Sequence, residues 1–461
     1  MKRLGFLIGA LLLCSSLQAQ SVPSFKAGER VAFIGNSITH GGHYHSYIWL
    51  YYMTRFPNMP ITVFNAGIGG ECAWNMDERM DDDVFAKKPT YVTLTFGMND
   101  TDYGIYLRDN ASTLSKQRIE KSLASFRSME EKLLKHKEIK TVMIGTSPYD
   151  ETTKFNTFVL PGKNKAIQTI IKAQQETAAQ HGWGFVDFNR PMCDIALQQQ
   201  ALDSTFTFGR LDRVHPDCDG QMVMAYLFLK AQGLEGKKVA CVAVDAKKGR
   251  VLEQDNCAIS NVKKTEGILS FDYLANALPY PTDSVSQNGW GNIRSQRDAL
   301  SLIPFTRDFN QEVVRVEGLQ PGTYQLCIDD QIIDQVGDTQ LQEGVNLALY
   351  PNTPQMRQAG VIMYLNEERL QVEKRFREYL WTEYTFLRPQ GLLFADNEEA
   401  LAKVQERLPK DVFLRASYPW FVQAMHPEIR QAWTDYMERL VETIYHINKP
   451  VNHTITIVKH K

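Results

Sequence analysis

From Val31 to about Gly233, short apolar runs alternate with longer amphipathic stretches. Val31–Ile34, Thr62–Phe64, Tyr91–Phe96, Thr141–Ile144 and Phe185–Phe188 are rich in β-branched and aromatic residues and are bounded by Gly, Asn, Asp or Pro. Runs of this kind suit strands buried on both faces of a parallel sheet. Between them the spacing predicts helices over about Tyr44–Arg55, Trp74–Asp83, Lys116–Lys137 and Lys163–His181. A last helix over Asp219–Ala231 carries Met222, Val223, Tyr226 and Leu229 on one stripe. Such a βαβα alternation predicts a doubly wound α/β fold, whose ligands bind outside the carboxyl ends of the strands.

The pattern changes near Lys237. Val239–Val244, Val251–Gln254, Ile268–Tyr273, Val313–Val316 and Thr323–Ile328 read as strands separated by turns, and Gly318–Tyr324 is a turn leading into a strand. From Thr353 to Ile447 the helical period returns, with long amphipathic helices over Arg357–Leu380 and His426–Ile447 and a shorter one near Glu398–Leu408. The alternating segment Asn452–Val458 is a strand that cannot stand alone. The expected organisation is an α/β domain over 22–236, a β-sandwich domain over 237–350 closed by a returning strand at 451–459, and a helical insertion over 351–450.

Composition narrows the function. With 461 residues, 43% hydrophobic and 23% charged, the chain is globular and long enough for two or three cores. The 51 Lys and Arg nearly balance 53 Asp and Glu. That leaves no basic footprint for nucleic acid and no polybasic cluster for an anionic membrane. Lys2-Arg3, the apolar stretch Leu4–Leu13 and the small or polar residues up to Ala19 read as a signal peptide over 1–19, cleaved after Ala19. The expected address is therefore secreted or periplasmic. A lipid anchor would need a small residue before Cys14, and Leu13 is not small, so export is favoured over anchoring. No later segment holds eighteen uncharged apolar residues, so no membrane span is expected. Export permits disulfides among Cys72, Cys193, Cys218, Cys241, Cys257 and Cys327. None of these lies in a CxxC pair, and the plain reading is small buried apolar residues.

Four short stretches carry candidate chemistry. Gly35-Asn36-Ser37-Ile38-Thr39 follows the first strand, so Ser37 is exposed at the sheet edge beside a helix N-terminus; as a plain alternative it is a helix cap. Asn65–Gly70 follows the second strand with glycines that let a backbone N–H approach a ligand, or that simply satisfy a turn. It lacks the spacing of a dinucleotide fingerprint. Gly97-Met98-Asn99-Asp100 follows the third strand, where Asn99 can aim an amide N–H at an oxyanion or serve as a turn residue. Asp212-Arg213-Val214-His215-Pro216 precedes the last helix and can join a carboxylate and an imidazole in one tight turn. All four converge on one sheet edge. Ser37 as nucleophile, His215 as base, Asp212 as its orienter and oxyanion donors make up the parts needed for ester hydrolysis.

Together the four stretches resemble the blocks of the SGNH, or GDSL-like, hydrolases. Gly35-Asn36-Ser37 is similar to the family's first block, with Asn36 where Asp is commoner. Gly70 matches its oxyanion glycine, Gly97 to Asp100 its Gly-x-Asn-Asp block, and Asp212 with His215 its Asp-x-x-His block. The resemblance covers residues 28 to 235. It implies a flavodoxin-like three-layer α/β/α sandwich of about five parallel strands and serine esterase chemistry with no cofactor and no metal. It also implies an oxyanion hole built from the N–H groups of Ser37 and Gly70 and the Asn99 amide. The lipase-type elbow GxSxG is absent, since Gly145–Tyr149 ends in Tyr.

Weaker candidates surround these. His43 and His45 follow the nucleophile and are candidates to line the acyl or leaving-group pocket, with an ordinary helix-surface role as the plain alternative; their HxH spacing alone is a poor zinc motif. Trp74 is a candidate sugar-stacking face, with core packing as the plain alternative. Asp81-Asp82-Asp83 reads as a solvated helix end. Export, a compact site and the extra β domain fit what the resemblance implies for a secreted member of this family, an acetylated polysaccharide or glycan as substrate, most simply as acetyl ester. The alternatives are a lysophospholipase or short-chain lipid esterase, and a glycan-binding scaffold with an idle hydrolase domain in which Trp290 is the binding aromatic. Oligomeric state is not legible.

Overall fold

The computed structural model describes residues 21–155, 158–210, 212–286 and 293–460. The signal-peptide reading and Trp290 therefore lie outside the described residues. The first domain alternates β1 (Arg30–Gly35), α1 (Ser37–Gly41), α2 (Tyr44–Arg55), β2 (Thr62–Gly67), α3 (Ala73–Arg79), β3 (Tyr91–Leu94), α4 (Ala111–Lys135), β4 (Lys140–Gly145), α5 (Lys163–His181), β5 (Gly184–Asp187), α6 (Asn189–Gln200) and α7 (Cys218–Ala231). Among the described residues its sheet has five parallel strands in the order β2-β1-β3-β4-β5. Helices cover both faces, giving the α/β/α sandwich. The strand order reverses between β1 and β3, and the crevice at that switch point is where such sheets bind ligands.

Helix α2 is buried along all of its 12 residues. Its sequence carries no charge before Arg55, as a helix enclosed on every side requires. One wall is the sheet, through Phe33. Another is segment 276–311, whose Tyr280, Phe305 and Phe309 join Trp49 and Tyr51 in one core. The third is a long helix from the far end of the chain, described next.

The second half holds β6 (Ala240–Asp245), β7 (Arg250–Asp255), β8 (Cys257–Thr265), β9 (Ile268–Ala275), α8 (Phe305–Phe309), β10 (Glu312–Glu317), β11 (Thr323–Ile328), β12 (Gln331–Gly337), α9 (Asp338–Glu343) and β13 (Val345–Asn346). It continues with α10 (Pro354–Trp381), α11 (Glu398–Arg407), α12 (Val412–Ala424), α13 (Pro427–Ile447) and β14 (His453–Lys459). The strands form two sheets, β13-β10-β6-β7 and β12-β11-β14-β9-β8. They face each other over Val242, Val244, Val314 and Val316 on one side and Phe271, Leu326, Ile455 and Ile457 on the other. The final strand β14 lies between β9 and β11 in antiparallel register, so α10 to α13 are an insertion in this β-sandwich.

Several elements escaped the hydrophobic pattern, among them α6, β8, β12 and α12. Strand β8 is half-buried or exposed at every position, so it shows no apolar alternation. Strand β12, QIIDQVG, buries only Ile333 and Val336 and shows no apolar alternation, and α12 contains Pro419 in mid-helix. The expectation of a solvated Asp81–Asp83 is corrected at one residue. After α3 the chain widens into a π-helical turn, Met80–Val84, and Asp83 turns inward while Asp81 and Asp82 remain exposed. None of the six cysteines Cys72, Cys193, Cys218, Cys241, Cys257 and Cys327 is in a disulfide. Among the described residues no helix is long and apolar enough to cross a membrane.

Candidate active site

The site is built on the carboxyl ends of β1, β2 and β3 and on the turn ahead of α7. Asn36 caps α1, its Oδ1 accepting the Ile38 N–H at 3.0 Å, a contact worth about 1 kcal/mol. The chain folds back so closely here that a Cβ on Gly35 would stand 2.1 Å from Thr39 Oγ1. Ser37 thus opens α1 at the switch point. Its Oγ lies 2.7 Å from His215 Nε2, and His215 Nδ1 lies 2.5 Å from Asp212 Oδ2.

The Asp212–His215 pair is held by its own turn. Asp212 Oδ1 accepts the N–H groups of Val214 and His215, both at 2.9 Å. Burial disfavours a charge at Asp212, but the His215 ring and these two N–H groups outweigh it and hold the carboxyl below its ordinary range. An ionised Asp212 fixes the hydrogen on Nδ1 and turns the Nε2 lone pair to Ser37. Arg213 between them sits at φ 66°, a left-handed conformation that costs a non-glycine residue about 1–2 kcal/mol. Its guanidinium donates to the carbonyls of Asp150, Thr153 and Phe155, which anchors the strained turn.

Facing this chain is the loop after β2. Gly70 has φ 81° with open space where a Cβ would be, so the backbone angle rather than crowding calls for glycine. Among the described residues the N–H groups of Ser37 and Gly70 take no protein acceptor. Asn99 completes the arrangement. Its Oδ1 accepts from Tyr103 Oη at 2.9 Å, and Nδ2 donates to the Glu71 carbonyl at 3.0 Å. Both bonds fix the amide and leave one N–H for a ligand. Asp100 ties the two loops together: its carboxylate accepts from Gly97 N, Ala73 N and Ser122 Oγ.

The outlying candidates fare differently. His45 is fully buried with its ring against Phe33 and Tyr44, and burial pushes its pKa down to about 4. His43 is also buried, stacked on Tyr47, with Nε2 3.5 Å from Glu367 Oε1 on α10. The expectation that His43 and His45 line a substrate pocket is therefore corrected: α2 is enclosed, and its first turn is core. Trp74 is half-buried and carries the cations of Arg118 and Lys121 against its ring, at 4.8 Å and 3.9 Å. The expected sugar-stacking face is occupied by these side chains. Among the described residues no cluster of His, Cys, Asp or Glu could hold a metal ion.

Several residues at the site gave no signal in the sequence. Lys163, at the start of α5, is fully buried and donates to Met98 O, Thr101 Oγ1 and Asp102 O, so it clasps the turn carrying Asn99. Below the Gly70 loop, Arg79 pairs with Glu71 and Asp83, and Arg377 of α10 pairs with Asp83 at 2.8 Å. Burial alone would raise the Asp83 pKa, but Arg377, Lys87 and Arg79 hold it well below the carboxylate range. These partners are up to 294 residues apart, beyond the reach of any local motif.

Residues 33–223 match the GDSL-like Lipase/Acylhydrolase family, and residues 361–449 match the Diltiazem deacetylase C-terminal helical domain. A solved structure described as a gut microbial diltiazem-metabolizing enzyme is 47% identical, with a TM-score of 0.93, over 96% of this chain and 100% of that chain. An acetylxylan esterase from Geobacillus stearothermophilus is 25% identical over 236 residues, 45% of this chain and 96% of its own length.

Proposed function

The chain belongs to the GDSL-like lipase and acylhydrolase family of esterases, and from that premise we propose that it is a deacetylating serine esterase acting through Ser37, His215 and Asp212. The observation that carries this reading is the unbroken hydrogen-bond chain from Ser37 Oγ through both ring nitrogens of His215 to Asp212. His215 Nε2 takes the Ser37 proton as Oγ attacks the ester carbonyl. Asp212 orients the ring and balances the imidazolium. The N–H groups of Ser37 and Gly70 and the free N–H of Asn99 receive the negative charge of the tetrahedral oxygen. His215 then protonates the departing alcohol, leaving acetyl on Ser37. A water, deprotonated by His215, attacks that acyl-enzyme and releases acetate, and the proton returns to Ser37.

For the alcohol we favour a compact, ring-bearing molecule. The similarity to the diltiazem-metabolizing enzyme runs through the helical insertion, which stands over the Gly70 loop. There the exposed Phe413, its ring centre 6.4 Å from that of Trp381, offers aromatic surface beside the site. A second reading, an acetylated glycan, is favoured by the acetylxylan esterase, although that similarity spans only 45% of this chain. Export through residues 1–19 and the division into an α/β domain over 22–236, a β domain and a helical insertion belong to the same proposal. The test is hydrolysis of p-nitrophenyl acetate, butyrate and octanoate, then of a ring-bearing acetate ester against acetylated xylo-oligosaccharide. Acetate preference supports deacetylation. A rate rising with acyl length points to a lipid esterase instead.

A further inference from the structure

We propose that Trp381, in the last turn of α10, is a positioning residue that aims the Gly70 N–H, so that the helical insertion completes the oxyanion hole. The proposal rests on the reading of Gly70 as an oxyanion donor. Trp381 Nε1 donates to the Gly69 carbonyl at 3.1 Å. That carbonyl and the Gly70 N–H belong to one peptide group, which is planar and trans. Holding the oxygen on one side therefore fixes where the hydrogen points on the other. The bond also withdraws charge from the peptide and strengthens its N–H as a donor.

The neighbouring peptide plane is held as well. The Gly69 N–H donates to His40 Nδ1 at 3.1 Å. A nitrogen that accepts carries no hydrogen, so the neutral ring bears its hydrogen on Nε2, 3.1 Å from Glu378 Oε1 on α10. His40 lies on α1, the helix that Ser37 opens, so the same bond ties the loop to the nucleophile. Further along one face of α10, Arg377 Nε donates to the Gly67 carbonyl at 2.9 Å, and Glu373 Oε1 accepts the Asn65 N–H at 2.8 Å. Residues 373, 377, 378 and 381 thus meet the end of β2 and the loop after it, from Asn65 to Gly69, in order, either directly or through His40. A glycine loop with φ 81° at Gly70 has wide conformational freedom. These four contacts remove it.

Trp381→Phe keeps the ring and deletes the donor. With p-nitrophenyl acetate, kcat falls about 10-fold to 100-fold, as for a misaimed catalytic group, while KM stays within about twofold. Affinity for phenylboronic acid, whose tetrahedral adduct on Ser37 needs the same N–H, falls in parallel. His40→Ala lowers kcat in the same way, and His40→Asn, which restores an acceptor near Nδ1, recovers most of that loss. Should Trp381→Phe fail to fold, the His40 pair decides alone. A raised KM with unchanged kcat would make Trp381 a substrate wall and overturn the proposal. So would wild-type kcat and boronate affinity in both variants. Ser37→Ala run alongside separates the cases: if it is inactive, only this inference fails, and if it is active, the esterase mechanism fails first.

Discussion

His215 Nε2 lies 2.7 Å from Ser37 Oγ across a separation of 178 residues. Ser37 opens α1 at the end of β1, and His215 sits in a turn locked by Asp212 and by the strained Arg213. The contact is therefore made by two rigid ends rather than by mobile loops. A proton transfer over this distance needs no rearrangement before substrate binds.

Asp212→Asn keeps the size of the side chain but removes the charge that selects the Nδ1–H tautomer. We expect kcat to fall by about 10³-fold to 10⁴-fold with little change in melting temperature. A steady-state assay with a thermal melt checks this. A loss of less than about tenfold would mean that Asp212 does not orient His215.

Asn99→Ala removes one oxyanion donor, and kcat is expected to fall by about 10²-fold to 10³-fold at similar KM. Tyr103→Phe, which frees the amide to rotate, should give a smaller loss in the same direction. Comparing the two variants by kcat and KM separates donation from orientation.

Asp83→Asn leaves Arg79 and Arg377 buried without their shared carboxylate. Breaking a buried pair costs about 3–5 kcal/mol, read as a fall in the urea midpoint. The Asp83 carboxyl is depressed on folding. Its contribution is present above the unfolded value of about 4 and is lost as pH drops through the lower folded value. The gap between wild type and variant should therefore be flat from pH 8 to about pH 5 and narrow only below about pH 4.

Burial draws the Lys163 ammonium down to about 7. The folded chain then releases this proton near neutrality, whereas the unfolded chain keeps it to about 10. Protons bound are greater in the unfolded state over that interval, so this residue makes stability rise with pH from about 7 to about 10. Lys163→Met should flatten that slope and also lower kcat, because the turn carrying Asn99 loses its clasp. Urea melts at pH 7, 8 and 9 test the first effect.

The residues with local signatures were legible in the sequence. Ser37 follows a strand and opens a helix, Gly70 and Asn99 lie in the loops after two further strands, and Asp212 with His215 fit one turn. The apolar runs gave away β1 to β5, because buried parallel strands need continuous hydrophobicity. What stayed hidden depends on distance in sequence. Asp83 reads as solvent-facing until Arg377 arrives from α10, and Trp381 means nothing until its N–H is seen on Gly69. His43 and His45 look available because they follow the nucleophile. The enclosure of α2 by α10 and segment 276–311 is a tertiary fact with no local mark.

The central claim is that Ser37 is the nucleophile, and the most direct measurement is hydrolysis of p-nitrophenyl acetate by wild type and Ser37→Ala with both proteins shown to be folded. The account predicts turnover by wild type and a loss of about 10⁶-fold, to the detection limit, in the variant. Hydrolysis by Ser37→Ala at a rate near that of wild type would contradict it.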